Sequence, residues 1–329
     1  MMKYDVVSVD VGYAYTKVVT AERRIMFPSL VGPRKEITFD LSSSEDVPGE
    51  TVQVGGETYF IGRKAEKCDT TFSLRTRDWV ESSIYSALIA SALIRVKESN
   101  GLNSNVFVIT GLPVDYMRDK LKAAEQVRQA ANSLNINLAG VKVVPQPLGG
   151  FFDYVLDETG EPTITQRTKL LGVVDVGSHT TDYVLIRNLR DNIERASGSI
   201  TSGVRDIIDG VRRDIMQVFS RDNISYIEAE ECVRRTRMIK IKGENKEVSD
   251  IVSSRMRNSA RNIVGEIKSR WSQEGELDLV LLSGGGSIIL REHLKDISHS
   301  TKLLEGAQMA NAKGYYKHGL LISKASKTV

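Results

Sequence analysis

A chain of 329 residues is longer than one ordinary hydrophobic core and suits two domains. Its hydrophobic share of 41% and charged share of 26% are those of a globular protein, and 45 Lys and Arg against 42 Asp and Glu leave +3, too balanced to mark a nucleic-acid binder. Cys68 and Cys232 form no C-x-x-C pair, which argues against both a zinc site and a disulfide framework.

The opening MMKYDVVSVD carries no signal-peptide pattern, and the longest apolar segment, near Tyr85–Ile94, is too short to span a bilayer. A cytosolic protein without direct membrane contact is expected. Val6–Val19 reads as a β-hairpin. Thr51–Ile61 alternates around Gly55-Gly56 as a second hairpin, inside a polar insertion over 34–78. A helix is expected at about 80–98, then strand Val106–Thr110, a helical mixed-charge segment over 114–134, and strand Val141–Val144. Pro147 opens the next helix. Gly149-Gly150 inside that helix cost about 1 kcal/mol each against Ala, which a close helix crossing would justify. Ala310, Ala312 and Gly314 are its matching small-residue face. A polar loop over 157–168 separates the halves.

The second half repeats the plan. Leu170–Ile186 reads as a hairpin, and Ile193–Ile200 should extend its sheet. Helices are expected over 203–274, with Ile251, Val252, Met256, Ala260, Ile263, Val264, Ile267 and Trp271 recurring at spacings of three and four. Strand Leu279–Leu282 then meets Gly284-Gly285-Gly286, and a helix starts at Ser287. This alternation predicts α/β architecture with helices on both sheet faces.

The two hairpins share a phrase: VVSVDVGYAYTKVV at 6–19 and LGVVDVGSHTTDYV at 171–184. Asp10, Gly12, Thr16 and Lys17 fall on Asp175, Gly177, Thr181 and Asp182, so two similar halves facing each other are expected. A strand that ends in Asp and turns on Gly directs backbone N–H groups outward, which suits phosphate oxygens. The carboxylates of Asp10 and Asp175 suit hydrated Mg²⁺. Lys17 supplies a point charge for a terminal phosphate, whereas Asp182 is an acceptor and serves another purpose. Either hairpin alone is equally an ordinary turn; the matched offsets favour a shared function. The triple glycine lets a backbone approach a ligand or simply makes a flexible corner. Neither a P-loop nor a G-x-G-x-x-G helix start occurs.

This order of motifs is similar to that of the actin/Hsp70/sugar-kinase ATPase superfamily. Within it the chain most resembles the bacterial actin-like proteins of the ParM/StbA type, which segregate plasmids. The resemblance is carried by DVGYAYTK at 10–17, VGGETYFIGRKA at 54–65, TGLPVDY at 110–116 and VVPQPLGGFFDY at 143–154. GVVDVGSHTTD at 172–182, LLSGGGSIIL at 281–290 and GAQMANAKGYYKHG at 306–319 complete it. It implies an actin-like ATPase fold, two α/β halves around a nucleotide cleft. The first core would take 1–33 and 79–160 with insertion 34–78; the second would take 161–202 and 275–329 with helical insertion 203–274. The helices bearing Gly149-Gly150 and Ala310 would form the hinge.

The resemblance also implies ATP, with GTP left open, and Mg²⁺ held through water by Asp10 and Asp175. Nucleotide contacts would come from Asp10, Gly12, Tyr13, Thr16, Lys17, Gly177, Ser178, His179 (by its amide), Thr180, Gly284, Gly285 and Gly286. Gln146 stands where actins carry the Gln that contacts the attacking water; its plainer reading is a loop-backbone partner. Asp182 would share that water, with Asp175 as the third catalytic residue. The implied protein is a filament-forming ATPase of the prokaryotic cytosol, its partner itself, tied to plasmid or other cargo by a DNA-binding adaptor. The alternatives are a small-molecule kinase of the same superfamily and a non-hydrolysing adaptor. A kinase needs an acid or base beyond Asp10, Asp175 and Asp182, and none stands out. The run Arg234–Lys242 reads as a solvated basic face, or as a surface for DNA or a neighbouring subunit.

Overall fold

The structure is a computed structural model, which describes residues 4–35, 47–68, 70–72, 78–100, 105–164 and 169–325. The first part of the chain forms β1 (Asp5–Val11), β2 (Tyr15–Val19), β3 (Arg24–Pro28), β4 (Val31–Pro33), β5 (Thr51–Val54), β6 (Glu57–Ile61), α1 (Ser83–Asn100), β7 (Val106–Leu112), α2 (Lys120–Ser133), β8 (Leu138–Pro145) and α3 (Pro147–Val155). The rest forms β9 (Leu170–Val176), β10 (Thr181–Arg187), β11 (Asp191–Asn192), β12 (Gly198–Ile200), α4 (Val204–Val218), α5 (Tyr226–Glu231), β13 (Met238–Ile241), β14 (Glu244–Glu247), α6 (Ser249–Trp271), β15 (Leu279–Ser283), α7 (Gly285–Leu294), β16 (Thr301–Leu303) and α8 (Ala310–Ala325). These elements make two compact units, one within Met1–Thr165 and Met309–Val329, the other within Gln166–Gln308.

The two units are built alike. The first has a sheet ordered β3-β2-β1-β7-β8; the second has β11-β10-β9-β15-β16, with β12 also on β10. In each, the leading hairpin and the strands beside its second strand are antiparallel, and the strands added on the side of β1 or β9 are parallel. The continuous apolar runs explain why these strands are central. All seven residues of β9 are buried, as are six of the seven in β1, which suits strands covered on both faces. In the first unit α1 and α2 pack Leu88, Leu93 and Val127 into the core with Val7 and Val9. In the second, α6 buries Val252, Met256, Ala260, Ile263, Ile267 and Trp271, the predicted stripe. Trp271 lies on Gly172 of β9, where an added Cβ would fall 2.5 Å from the indole, and its Nε1 donates to Ala196 O at 2.8 Å.

The hairpin around Gly55-Gly56 forms as β5–β6, with both glycines at positive φ, 61° and 85°, as a two-residue turn requires. Ile193–Ile200 extends the second sheet as expected, β12 pairing with β10 after a 3-10 turn over Glu194–Ala196. The structure departs from expectation in two places. The insertion 203–274 is not wholly helical, since β13 and β14 form a hairpin around Lys242 and Gly243, at φ 48° and 88°. The basic run therefore splits into a π-turn over Cys232–Thr236 and strand β13, where Ile239 and Ile241 point inward. Its arginines are engaged locally: Arg234 with Glu230 at 2.7 Å, Arg235 with Glu231 at 3.9 Å, and Arg237 on Cys232 O at 2.7 Å.

The second difference is the last helix. The segment 275–329 is expected in the second half, but α8 belongs to the first unit. Ser8 Oγ donates to Ala312 O at 2.7 Å, and Lys313 and Lys317 both sit on Asp153 of α3, at 2.8 and 2.9 Å. Gly314 faces Gly149 backbone to backbone, so the small residues do mark a close crossing. Neither cysteine forms a disulfide. Among the described residues no helix is long and apolar enough to cross a membrane.

Candidate functional site

In the first unit the site is built on the β1–β2 hairpin. Its register pairs Asp10 with Lys17 and Val11 with Thr16, and the turn closes by Gly12 N donating to Tyr15 O at 3.1 Å. An added Cβ on Gly12 would fall 2.9 Å from that carbonyl, so the tight turn itself requires glycine. Asp10 is buried, with 1% exposure. Lys17 Nζ stands 2.8 Å from its Oδ2, and Gln146 Nε2 donates to its Oδ1 at 3.2 Å. One buried carboxylate thus holds both the lysine and the glutamine, a charge pair whose loss on either side is costly.

Gln146 is placed by the corner between β8 and α3. Its N–H donates to Leu112 O at 2.8 Å, and its carbonyl accepts from Tyr315 Oη at 3.2 Å. The side-chain amide faces Asp10 and, at 3.5 Å, the backbone carbonyl of Val11. Tyr13 is half-buried in the turn, its ring 5.9 Å from that of Trp79. Thr16 is fully buried and its hydroxyl meets Ser29 Oγ at 2.9 Å, which ties strands together instead of facing a ligand.

The second unit repeats this geometry with altered chemistry. Gly177 N donates to Thr180 O at 2.8 Å, and β9–β10 pairs Asp175 with Asp182 and Val176 with Thr181. Thr181 matches Thr16 in being buried, its hydroxyl on Ser202 O at 2.8 Å. Asp182 is 1% exposed; its Oδ2 accepts from Thr180 Oγ1 at 2.8 Å and its Oδ1 from Ser199 Oγ. Half-buried Ser178 and His179 form the turn, which the start of α4 clamps: Val204 N and Arg205 N donate to Gly177 O and Ser178 O at 3.1 and 2.9 Å.

The triple glycine divides by role. A Cβ on Gly284, at φ 82°, would fall 2.3 Å from Asp175 Oδ1, and one on Gly286 would fall 2.4 Å from Val176. Those two glycines admit the end of β9. At Gly285 an added Cβ would meet Gln308 Cγ at 3.6 Å, an ordinary contact.

The structure therefore gathers Asp10, Lys17 and Gln146 in the first unit and Asp175, Asp182 and Gly284 in the second. Of the two expected metal carboxylates, Asp10 has both oxygens engaged by Lys17 and Gln146. Asp175 and Asp182 face each other on neighbouring strands, and like charges so placed repel, a cost that a bound cation relieves. Among the described residues no group of three or more His, Cys, Asp or Glu side chains could hold a metal ion. That arrangement does not fit a fully protein-ligated metal, but it fits hydrated Mg²⁺, which needs one or two carboxylates. Ser199 was not anticipated from the sequence. Its signal was the register of a third strand, which short-range pattern does not carry.

Residues 8–149 match the family described as actin like proteins, N-terminal domain, and residues 173–296 match the archaeal actin homologue MreB-like, C-terminal. No curated protein matches the chain significantly. Among solved structures, the archaeal actin homologue Ta0583 superposes with a TM-score of 0.76 at 21% identity, covering 100% of both chains. Its complex with ADP gives 0.73 at 22%, covering 95% of this chain and 98% of that one. A 15-stranded ParM filament from Clostridium botulinum gives 0.74 at 19%, covering 98% and 100%. At these identities the likeness establishes the fold.

Proposed function

Because the chain belongs to the actin-like proteins, on both halves of its length, we propose that it is an ATPase whose nucleotide state governs its assembly into filaments. The observation that carries this reading is the matched pair of hairpins, with Asp10, Lys17 and Gln146 joined on one side and Asp175 and Asp182 on the other. Phosphoryl transfer to water needs mainly positioning and charge stabilisation, and these groups divide that work.

Lys17, held ready on Asp10, gives the terminal phosphate a point charge. The turn at Gly12–Tyr13 in the first unit and the turn at Gly177–Thr180 in the second are each suited to phosphate oxygens. Gln146 anchors its amide nitrogen on Asp10, which leaves its Oε1 to accept from the attacking water. By its resemblance to the actin-like ATPases, Asp182 of the second unit would also accept a hydrogen bond from water. Magnesium, held through water on Asp175, would neutralise phosphate charge. Asp10 then holds the lysine and the glutamine in place.

Support for assembly comes from the fold shared with a ParM filament, and support for an adenine nucleotide from the ADP complex of the archaeal homologue. A nucleotide that favours one conformation shifts the population toward it, and a head-to-tail contact that does not close runs on as a polymer. The ParM likeness extends the reading to segregation of plasmid or other DNA through a DNA-binding adaptor. Gln146→Ala tests the chemistry: it should bind ATP–Mg²⁺ within about twofold of wild type and hydrolyse it about 10²-fold more slowly. Lost affinity with unchanged turnover would overturn the assignment.

A further inference from the structure

We propose that Ser199 is a positioning residue that fixes the carboxylate of Asp182, an assignment that rests on the ATPase reading above. The repeat does not stop at the hairpins. In the first unit β3 runs beside β2 and pairs Met26 with Lys17 and Phe27 with Thr16. In the second, β12 runs beside β10 and pairs Ser199 with Asp182 and Ile200 with Thr181. Met26 and Ser199 are therefore equivalent positions, one strand beyond the equivalent pair Lys17 and Asp182.

The two exchanges go together. Lys17 finds its partner in Asp10 on the other side, so its third-strand neighbour can be a methionine, 45% exposed. Where the cation becomes a carboxylate buried to 1%, the opposite strand offers another carboxylate, Asp175, and donors must come from elsewhere. They come one to each oxygen: Thr180 Oγ1 on Oδ2, from the turn, and Ser199 Oγ on Oδ1, from the third strand. A hydroxyl has a single proton to donate, and a hydrogen bond to an ionised acceptor is among the stronger kinds. Ser199 thus holds Asp182 from the side away from Asp175 and determines where its remaining lone pairs point. It acts on the reaction through Asp182.

The test is a double-mutant cycle on the full chain, with turnover and affinity for ATP–Mg²⁺ measured separately and a thermal melt of each variant. Ser199→Ala should lower kcat about tenfold, the loss expected of one hydrogen bond to a charged group, with affinity within about twofold. Ser199→Thr should restore it. In an Asp182→Asn background Ser199→Ala should cost nothing further, because both changes break one unit. Ser199→Cys, similar in size and a weaker donor, carries the same test if alanine unfolds the chain. Wild-type turnover in Ser199→Ala, or an undiminished loss in the Asp182→Asn background, overturns the assignment and leaves the ATPase reading standing. If the wild-type chain hydrolyses no ATP, that reading fails and the assignment falls with it.

Discussion

Replacing Gly314 by alanine probes the crossing of α3 and α8. In an open helix the change would be favourable by about 1 kcal/mol, since glycine is the poorer helix former. Here the added Cβ would fall 1.8 Å from Gly149 O and 2.6 Å from its carbonyl carbon. Those are backbone atoms of a facing helix, so no rotamer change relieves the overlap, and the helices must separate by more than an ångström. Overpacking of this kind costs about 3 kcal/mol, which leaves a net loss of about 2 kcal/mol. Gly265 supplies the control, being exposed on α6 with nothing within 4 Å of its added Cβ. Thermal and urea melts followed by circular dichroism should show Gly314→Ala destabilised and Gly265→Ala slightly stabilised. A Gly314→Ala chain as stable as wild type would refute the argument from close approach.

Lys17→Ala should strip the buried Asp10 of its cation, weaken ATP–Mg²⁺ binding and destabilise the fold by about 3 kcal/mol, while adding Asp10→Asn should recover most of the stability but not the binding; urea melts and nucleotide titration check both. His318, stacked on Phe152 at 4.0 Å, has its pKa pushed down to about 4 by burial and, secondarily, by Lys142. Its folded form resists the proton that the unfolded chain takes up near 6.5, so stability should be complete above that pH and fall by about 3 kcal/mol as pH drops from about 6.5 to about 4. Melts across that range should show the loss in wild type and a flatter profile in His318→Phe.

The hairpins were legible because Asp, Gly and Thr at fixed offsets also fix the register, and the structure pairs Asp10 with Lys17 as it pairs Asp175 with Asp182. The third strands were not, since Met26 and Ser199 share no chemistry and only the backbone equates them. A glycine advertises a missing side chain without saying what fills the space. Gly284 and Gly286 read as ligand contacts, yet they admit Asp175 and Val176. The β13–β14 hairpin hid in a basic run because only Ile239 and Ile241 carry its alternation, too short a stretch to outweigh the helices around it. The last helix, α8, was placed with the wrong half for a different reason. Its small face pointed to Gly149, but sequence order placed it after the second sheet, and packing overrode order.

Sedimentation of the purified chain over a range of concentrations, with ATP–Mg²⁺, with ADP–Mg²⁺ and without nucleotide, tests the central claim most directly. The account predicts that protein pellets above a critical concentration with ATP–Mg²⁺ and returns to the supernatant as the ATP is consumed. A chain that stays in the supernatant with ATP–Mg²⁺ at every concentration would contradict it.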